Sequence, residues 1–167
     1  MTLPLDNRRY ERYEPSPGHL FADVFEPLSL RKRIRYLLSW WHGSVVFYMK
    51  LADETLGYCL LEPGGGRYPF LTKRDWVVSP YIVREEMRGL GIGTLLLQDI
   101  RTHRLLDDRR DVYAFVRKNN IPSLRAMGKA GWSVFAHARN AGLQRKYLLA
   151  PETEAGYLVF VANGGAK

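Results

Sequence analysis

The segment Arg88-Gly89-Leu90-Gly91-Ile92-Gly93 narrows the choice of fold more than any other stretch of this chain. Three glycines in five residues follow an apolar run, Asp75 to Val83. They open a helical pattern in which Ile92, Leu95, Leu96, Ile100 and His103 share a face that Leu106 closes. Glycine turns sharply and carries no Cβ, so an anion can approach the backbone amides. The first amides of a helix have no internal partners, and the helix dipole adds positive potential there. Arg88 and the Thr94 hydroxyl add donors, which makes the turn a cradle for a pyrophosphate. A glycine-rich turn with no ligand is the bland alternative for this segment alone. Two other phosphate motifs fit poorly. The spacing is G-x-G-x-G rather than the G-x-G-x-x-G of dinucleotide folds, and Gly93-Thr94 lacks the P-loop lysine.

The remaining chain reads as a mixed α/β domain with more strands than helices. Residues 1–19 carry charge with Pro4, Pro15, Pro17 and Gly18 and are expected to form an irregular lead-in; residues 20–167 read as one domain. Leu20 to Phe25 is a candidate first strand. A helix is expected over Ser29 to Trp41, with Leu30, Ile34, Leu37, Leu38 and Trp41 on one face. Ser44 to Leu51 and Leu56 to Glu62 form strand-like runs joined by a short polar connection. Pro80 within Asp75 to Val83 predicts a bulge or an unpaired side. Val112 to Val116 is a strand. Pro122 begins a helix to about Ala130, which Gly131 caps. Ser133 to Ala138, Gln144 to Leu149 and Gly156 to Ala162 are late strands.

Composition excludes several classes. No apolar run approaches the roughly 20 residues that span a bilayer, and Met1 to Tyr13 lacks a signal-peptide core, so a cytoplasmic protein is expected. Cys59 is alone and sits in a strand, where a small buried core residue is expected. His19, His42, His103 and His137 lack metal-ligand spacing, and no metal is expected. The net charge of +8 favours anionic partners without choosing among them. No nucleic-acid motif accompanies it, so nucleic acid ranks well below a small ligand.

A second segment gives the glycine turn its meaning. Val112-Tyr113-Ala114-Phe115-Val116 is followed by Asn120, Ser123, Lys129, Gly131 and Trp132. Together with Arg88, Gly91 and Gly93, this resembles the GNAT superfamily of acyl-CoA-dependent N-acyltransferases over roughly residues 76–135. The resemblance implies a mostly antiparallel twisted sheet with helices on both faces and a V-shaped split between its fourth and fifth strands. It implies acetyl-CoA as cosubstrate, with pantetheine along the backbone edge of Tyr81, Ile82 and Val83. The pyrophosphate would lie on the amides of Arg88, Gly89, Leu90, Gly91, Ile92, Gly93 and Thr94. Asn120 and Ser123 would face the cofactor from the other wall.

The reaction implied is transfer of an acetyl or other short acyl group to a primary amine of a small molecule. A backbone amide near Val83 would stabilise the oxyanion. Acid and base do not follow the pattern. Met127 stands where many members carry a tyrosine acid, and Val77 where some carry a glutamate base. Asp75 and Ser79 (on the Val77 side of the strand) and Glu62 remain as candidates, with Tyr81 and Tyr113 as acids and a water chain as a further base. The alternative is an acyl-CoA-binding protein of the same fold without transfer. Arg31, Lys32, Arg33 and Arg35 suit an anionic acceptor such as an acidic metabolite, and homodimer pairing through the late strands stays open.

Overall fold

The computed structural model describes residues 8–13, 29–30, 34, 37–38, 41–102, 111–142 and 146–162. Among the described residues eight strands form one sheet: β1 Arg8–Tyr13, β2 Val45–Leu51, β3 Glu54–Pro63, β4 Trp76–Val83, β5 Val112–Arg117, β6 Ser133–Ala141, β7 Lys146–Leu149 and β8 Tyr157–Ala162. Their spatial order is β1-β2-β3-β4-β5-β8-β6-β7. Every described pairing is antiparallel except β4 with β5. The expected mixed, mostly antiparallel sheet is the one observed.

Two helices, α1 Ile92–Thr102 and α2 Ile121–Lys129, pack on one face. On α1 the helical period brings Ile92, Leu96, Leu97 and Ile100 together as fully buried side chains. Each contributes about 1.5–3 kcal/mol through removal from water. Leu61, Trp76, Val78, Val112 and Ala114 meet them from the sheet. Asn120 caps α2 by accepting from the Ser123 amide at 3.3 Å, and Pro122 lies in the first turn, where a missing N–H costs nothing. The Trp132 indole donates to the Leu97 carbonyl at 3.1 Å and ties the end of α2 to α1. Cys59 is fully buried, as expected.

Three sequence expectations change. Arg8–Tyr13, read as irregular, form an edge strand paired with β2. Backbone groups on the free edge of β2 supply those bonds, and no local pattern announces them. The helical positions Leu30, Ile34, Leu37, Leu38 and Trp41 are all exposed, Trp41 at 78%. Their common face looks outward rather than into the core. The late strands run longer or start later than expected, β6 reaching Ala141 and β7 beginning at Lys146. The strand expected at Leu20 to Phe25 lies outside the described residues, as do His103 and Leu106.

Candidate active site

The site forms where β4 and β5 part. They pair in parallel only through Trp76 with Val112, Val77 with Tyr113 and Val78 with Ala114. Beyond Val78, β4 stays with β3 while β5 stays with β8 through Phe115, Val116 and Arg117. A V-shaped opening results, and the β4 edge from Ser79 to Val83, which pairs with no strand on that side among the described residues, borders it. This is the split expected between the fourth and fifth strands.

A bulge sets which side chains enter that opening. Cys59 pairs with Tyr81 and Leu61 with Val78, so β4 spends one residue more than β3 across the same interval. The extra residue falls at Ser79-Pro80, where proline offers no N–H to the ladder. Simple alternation would leave Tyr81 on the face of Val77. The bulge turns Tyr81 and Val83 instead to the helix face, with Trp76 and Val78. A Cβ at Gly93 would lie 3.5 Å from both Tyr81 and Val83, so the glycine lets α1 sit close against this edge.

The glycine turn provides the amides the sequence led one to expect. Leu95 donates to the Gly91 carbonyl at 3.0 Å as the first bond of α1. Ile92, Gly93 and Thr94 therefore precede any i−4 carbonyl and point along the helix axis. Gly89 and Gly91 have φ of +80° and +83°, conformations that L side chains rarely adopt. Arg88 reaches the Val83 carbonyl through Nε at 3.4 Å and Glu85 at 3.5 Å, joining strand end to turn. Arg84 pairs with Glu54 and Glu86 on the outer side. Exposed Leu90 and Gly91 leave the concave side of the turn open.

Across the opening stands the start of α2. The Tyr81 phenol lies near the Ser123 side chain, so β4 approaches α2 here. Burial pushes the Tyr81 phenol above its ordinary value, and the nearby Ser123 side chain offsets part of that shift. Asn120 serves as the α2 cap through its side-chain oxygen. Met127 is fully buried in the helix-face core, and Val77 is fully buried on the other face. Neither can move a proton.

On the far face, the structure separates the candidate bases. Glu62 pairs in register with Val77 and is 9% exposed. Its carboxylate accepts from the Tyr68 hydroxyl at 3.1 Å and lies 3.8 Å from the Arg67 guanidinium. A carboxylate thus stands one strand away from the position held by Val77. Asp75 is elsewhere. It accepts from the Thr72 amide at 2.7 Å and the Thr72 hydroxyl at 2.8 Å, closing the turn before β4 at the paired end of the strands. Ser79 is half-buried at the vertex of the split. Tyr113 lies edge-on to Phe135 behind that vertex, its phenol raised by burial and by the charges of Asp111 and Asp75.

Sequence reasoning missed the aromatic wall beside Glu62. Tyr68 packs against Phe115 and Tyr147, with ring centroids 4.9 Å and 5.4 Å away. Phe115 is the first β5 residue past the last β4–β5 pair, so this wall begins at the mouth of the split. Nothing local in the sequence links Tyr68 to Tyr147, almost eighty residues on. Burial and the Glu62 charge push the Tyr68 phenol well up, so it stays a donor.

Among the described residues no helix is long and apolar enough to cross a membrane, and no three metal-ligating side chains gather. Three solved structures share the fold at low identity. A Bacillus cereus acetyltransferase of the GNAT family is 13% identical, with 95% of this chain and 99% of that chain covered, at a TM-score of 0.61. A Bacillus subtilis acetyltransferase in complex with CoA is 16% identical, covering 93% and 98%, at 0.58. A GNAT family acetyltransferase from Elizabethkingia anophelis with acetyl-CoA bound is 16% identical, covering 95% and 99%, at 0.59. No curated protein matches the sequence significantly. The model of the acetyltransferase (GNAT) family matches residues 11–132, a stretch that takes in the split, the glycine turn and α2. The chain belongs to the acetyltransferase (GNAT) family.

Proposed function

We propose that the chain transfers an acetyl or other short acyl group from its CoA thioester to a primary amine on a small molecule. The observation that carries this reading is the open β4 edge beyond Val78, which leads directly into the turn that presents the first amides of α1. Backbone groups of Tyr81, Ile82 and Val83 can hold an extended pantetheine by strand addition. The amides from Arg88 to Thr94 suit its diphosphate. The two solved relatives with CoA or acetyl-CoA support that assignment by fold. The thioester supplies an activated acyl carbon and a good leaving group.

The chain's own groups then divide the proton work. Glu62 takes a proton from the acceptor amine, directly or through one water, as its nitrogen bonds to the acyl carbon. The backbone near Val83 holds the developing oxyanion. Tyr81 gives its hydroxyl proton to the sulfur as the carbon–sulfur bond breaks, with Ser123 close to that hydroxyl. Glu62 and Tyr81 thus stand in for the groups that Val77 and Met127 cannot supply. Ser79, at the vertex, helps position the acyl group.

Acetyl-CoA binding followed by thiol release across an amine panel, with the acetylated product identified by mass, tests the proposal. Product with any primary amine supports it. Binding with no turnover over a broad panel would overturn transfer and leave an acyl-CoA-binding protein, the reading favoured by the two apolar side chains at the usual acid and base positions.

A further inference from the structure

Beside the split, the far face carries an aromatic ladder with a guanidinium at each end. Arg67 lies 5.7 Å from the Tyr147 ring and 5.7 Å from Tyr68. Tyr147 meets Tyr157 edge-on at 5.1 Å, and Arg117 lies 6.0 Å from the Tyr157 ring. Arg117 and Phe115 alternate along the same face of β5, past the last pair with β4. The ladder is built rather than incidental. The Tyr147 amide donates to the Arg67 carbonyl at 2.8 Å, and Asn140 donates to the Tyr157 hydroxyl at 3.0 Å.

Arg67 and Arg117 remain exposed, Arg67 with 43% of its side chain. Glu62 approaches Arg67 only to 3.8 Å, too long for a hydrogen bond, so it does not use the planar fork of donors. Stacking on tyrosine fixes that fork with little further loss of side-chain freedom, which suits it to a carboxylate or phosphate. Glu62 lies deeper, toward Val77 and the vertex. Positive charge outside, carboxylate inside and aromatic rings between define an ordered pair of recognition points.

We infer that the acceptor is an anionic amine: a primary amine whose own molecule carries a carboxylate or phosphate, held by Arg67 while the amine faces Glu62, with Arg117 adding positive charge from the far end of the ladder. This deepens, and rests on, the acyl-transfer reading. Charge-assisted contacts of this kind set specificity by favouring the anionic member of an otherwise matched pair.

Two matched pairs test the inference: phenylalanine against 2-phenylethylamine, and phosphoethanolamine against ethanolamine. Their binding to the CoA-loaded full chain is measured by calorimetry, and kcat/KM by thiol release. The member that carries the carboxylate or phosphate is expected to bind about tenfold or more tightly than the counterpart that lacks it. Whichever pair shows the gain tells carboxylate from phosphate. Arg67→Gln and Arg117→Gln each shrink that gain, Arg67→Lys restores part of it, and Lys73→Gln, on the same loop, leaves it intact. Thermal unfolding checks that every variant folds. A gain absent from both pairs, or surviving both glutamine substitutions, overturns the inference. Failure of transfer alone is seen separately, as acetyl-CoA binding without product, and the calorimetric preference still decides the anionic site.

Discussion

Tyr68 donates its hydroxyl to Glu62 at 3.1 Å, within a buried patch one strand away from Val77. This places a carboxylate beside the position where the split begins, although the strand that borders the split carries none there. If Glu62 is the base, Glu62→Gln lowers kcat by about 10²-fold, the usual worth of a positioned proton acceptor. Acetyl-CoA affinity stays within about twofold, measured by calorimetry, because the glycine turn follows the Val83 end of β4 while Glu62 pairs with Val77 near its other end. A variant with unchanged kcat returns the role to water.

Tyr81 gives a pH prediction with a definite sign. Burial raises its phenol above the ordinary 10.0, so the proton that the proposed mechanism takes from it is retained through neutral and moderately alkaline pH. Activity that depends on it persists there and falls only as pH rises through the raised value. Tyr81→Phe removes that alkaline fall and lowers kcat by about tenfold to a hundredfold, because a thiolate leaves with modest help. A pH–rate profile for both proteins reads the difference.

Gly91 tests the cradle. A Cβ there meets nothing within 4 Å, so the cost of Gly91→Ala comes from its φ of +83° alone. That strain is about 1–2 kcal/mol. Part is relieved by local shifts that misalign the amides, so acetyl-CoA affinity is expected to fall about tenfold. Calorimetry against thermal unfolding separates the two losses.

Cys59 supplies a stability check. It is fully buried, and burial alone pushes its thiol far above the ordinary 9.0. The folded chain holds the proton more tightly than the unfolded one. The resulting stability is fully present below pH 9.0 and is lost progressively as pH rises beyond it. Ellman's reagent is expected to leave the folded protein unmodified and to label one thiol after denaturation.

Much of the fold was legible because its signals are local. The period of Ile92, Leu96 and Ile100, the glycines before them and Pro122 at the start of α2 each constrain a few neighbouring residues. Pro80 even announced that β4 would break its ladder. It could not announce the consequence, because face assignment beyond a bulge depends on how many residues the partner strand spends. Hence Tyr81 faces Ser123 and α1 rather than sharing a side with Val77. Asp75 had the right chemistry and the right parity for a base, yet its carboxylate closes a turn with Thr72. The outward face of Leu30, Ile34, Leu37, Leu38 and Trp41 shows the same limit, since periodicity gives a stripe without saying what it meets.

The chain by itself therefore determined the helix start that can grip a diphosphate and the order of strands around it. Short-range steric and hydrogen-bonding rules suffice for both. Only the tertiary structure decided which side chains gather around the opening: Glu62 one strand back on β3, Tyr81 near Ser123 of α2, and the Arg67–Tyr147–Tyr157–Arg117 ladder. Those groups come from segments far apart in sequence, and their meeting is fixed by sheet register and by one extra residue in β4.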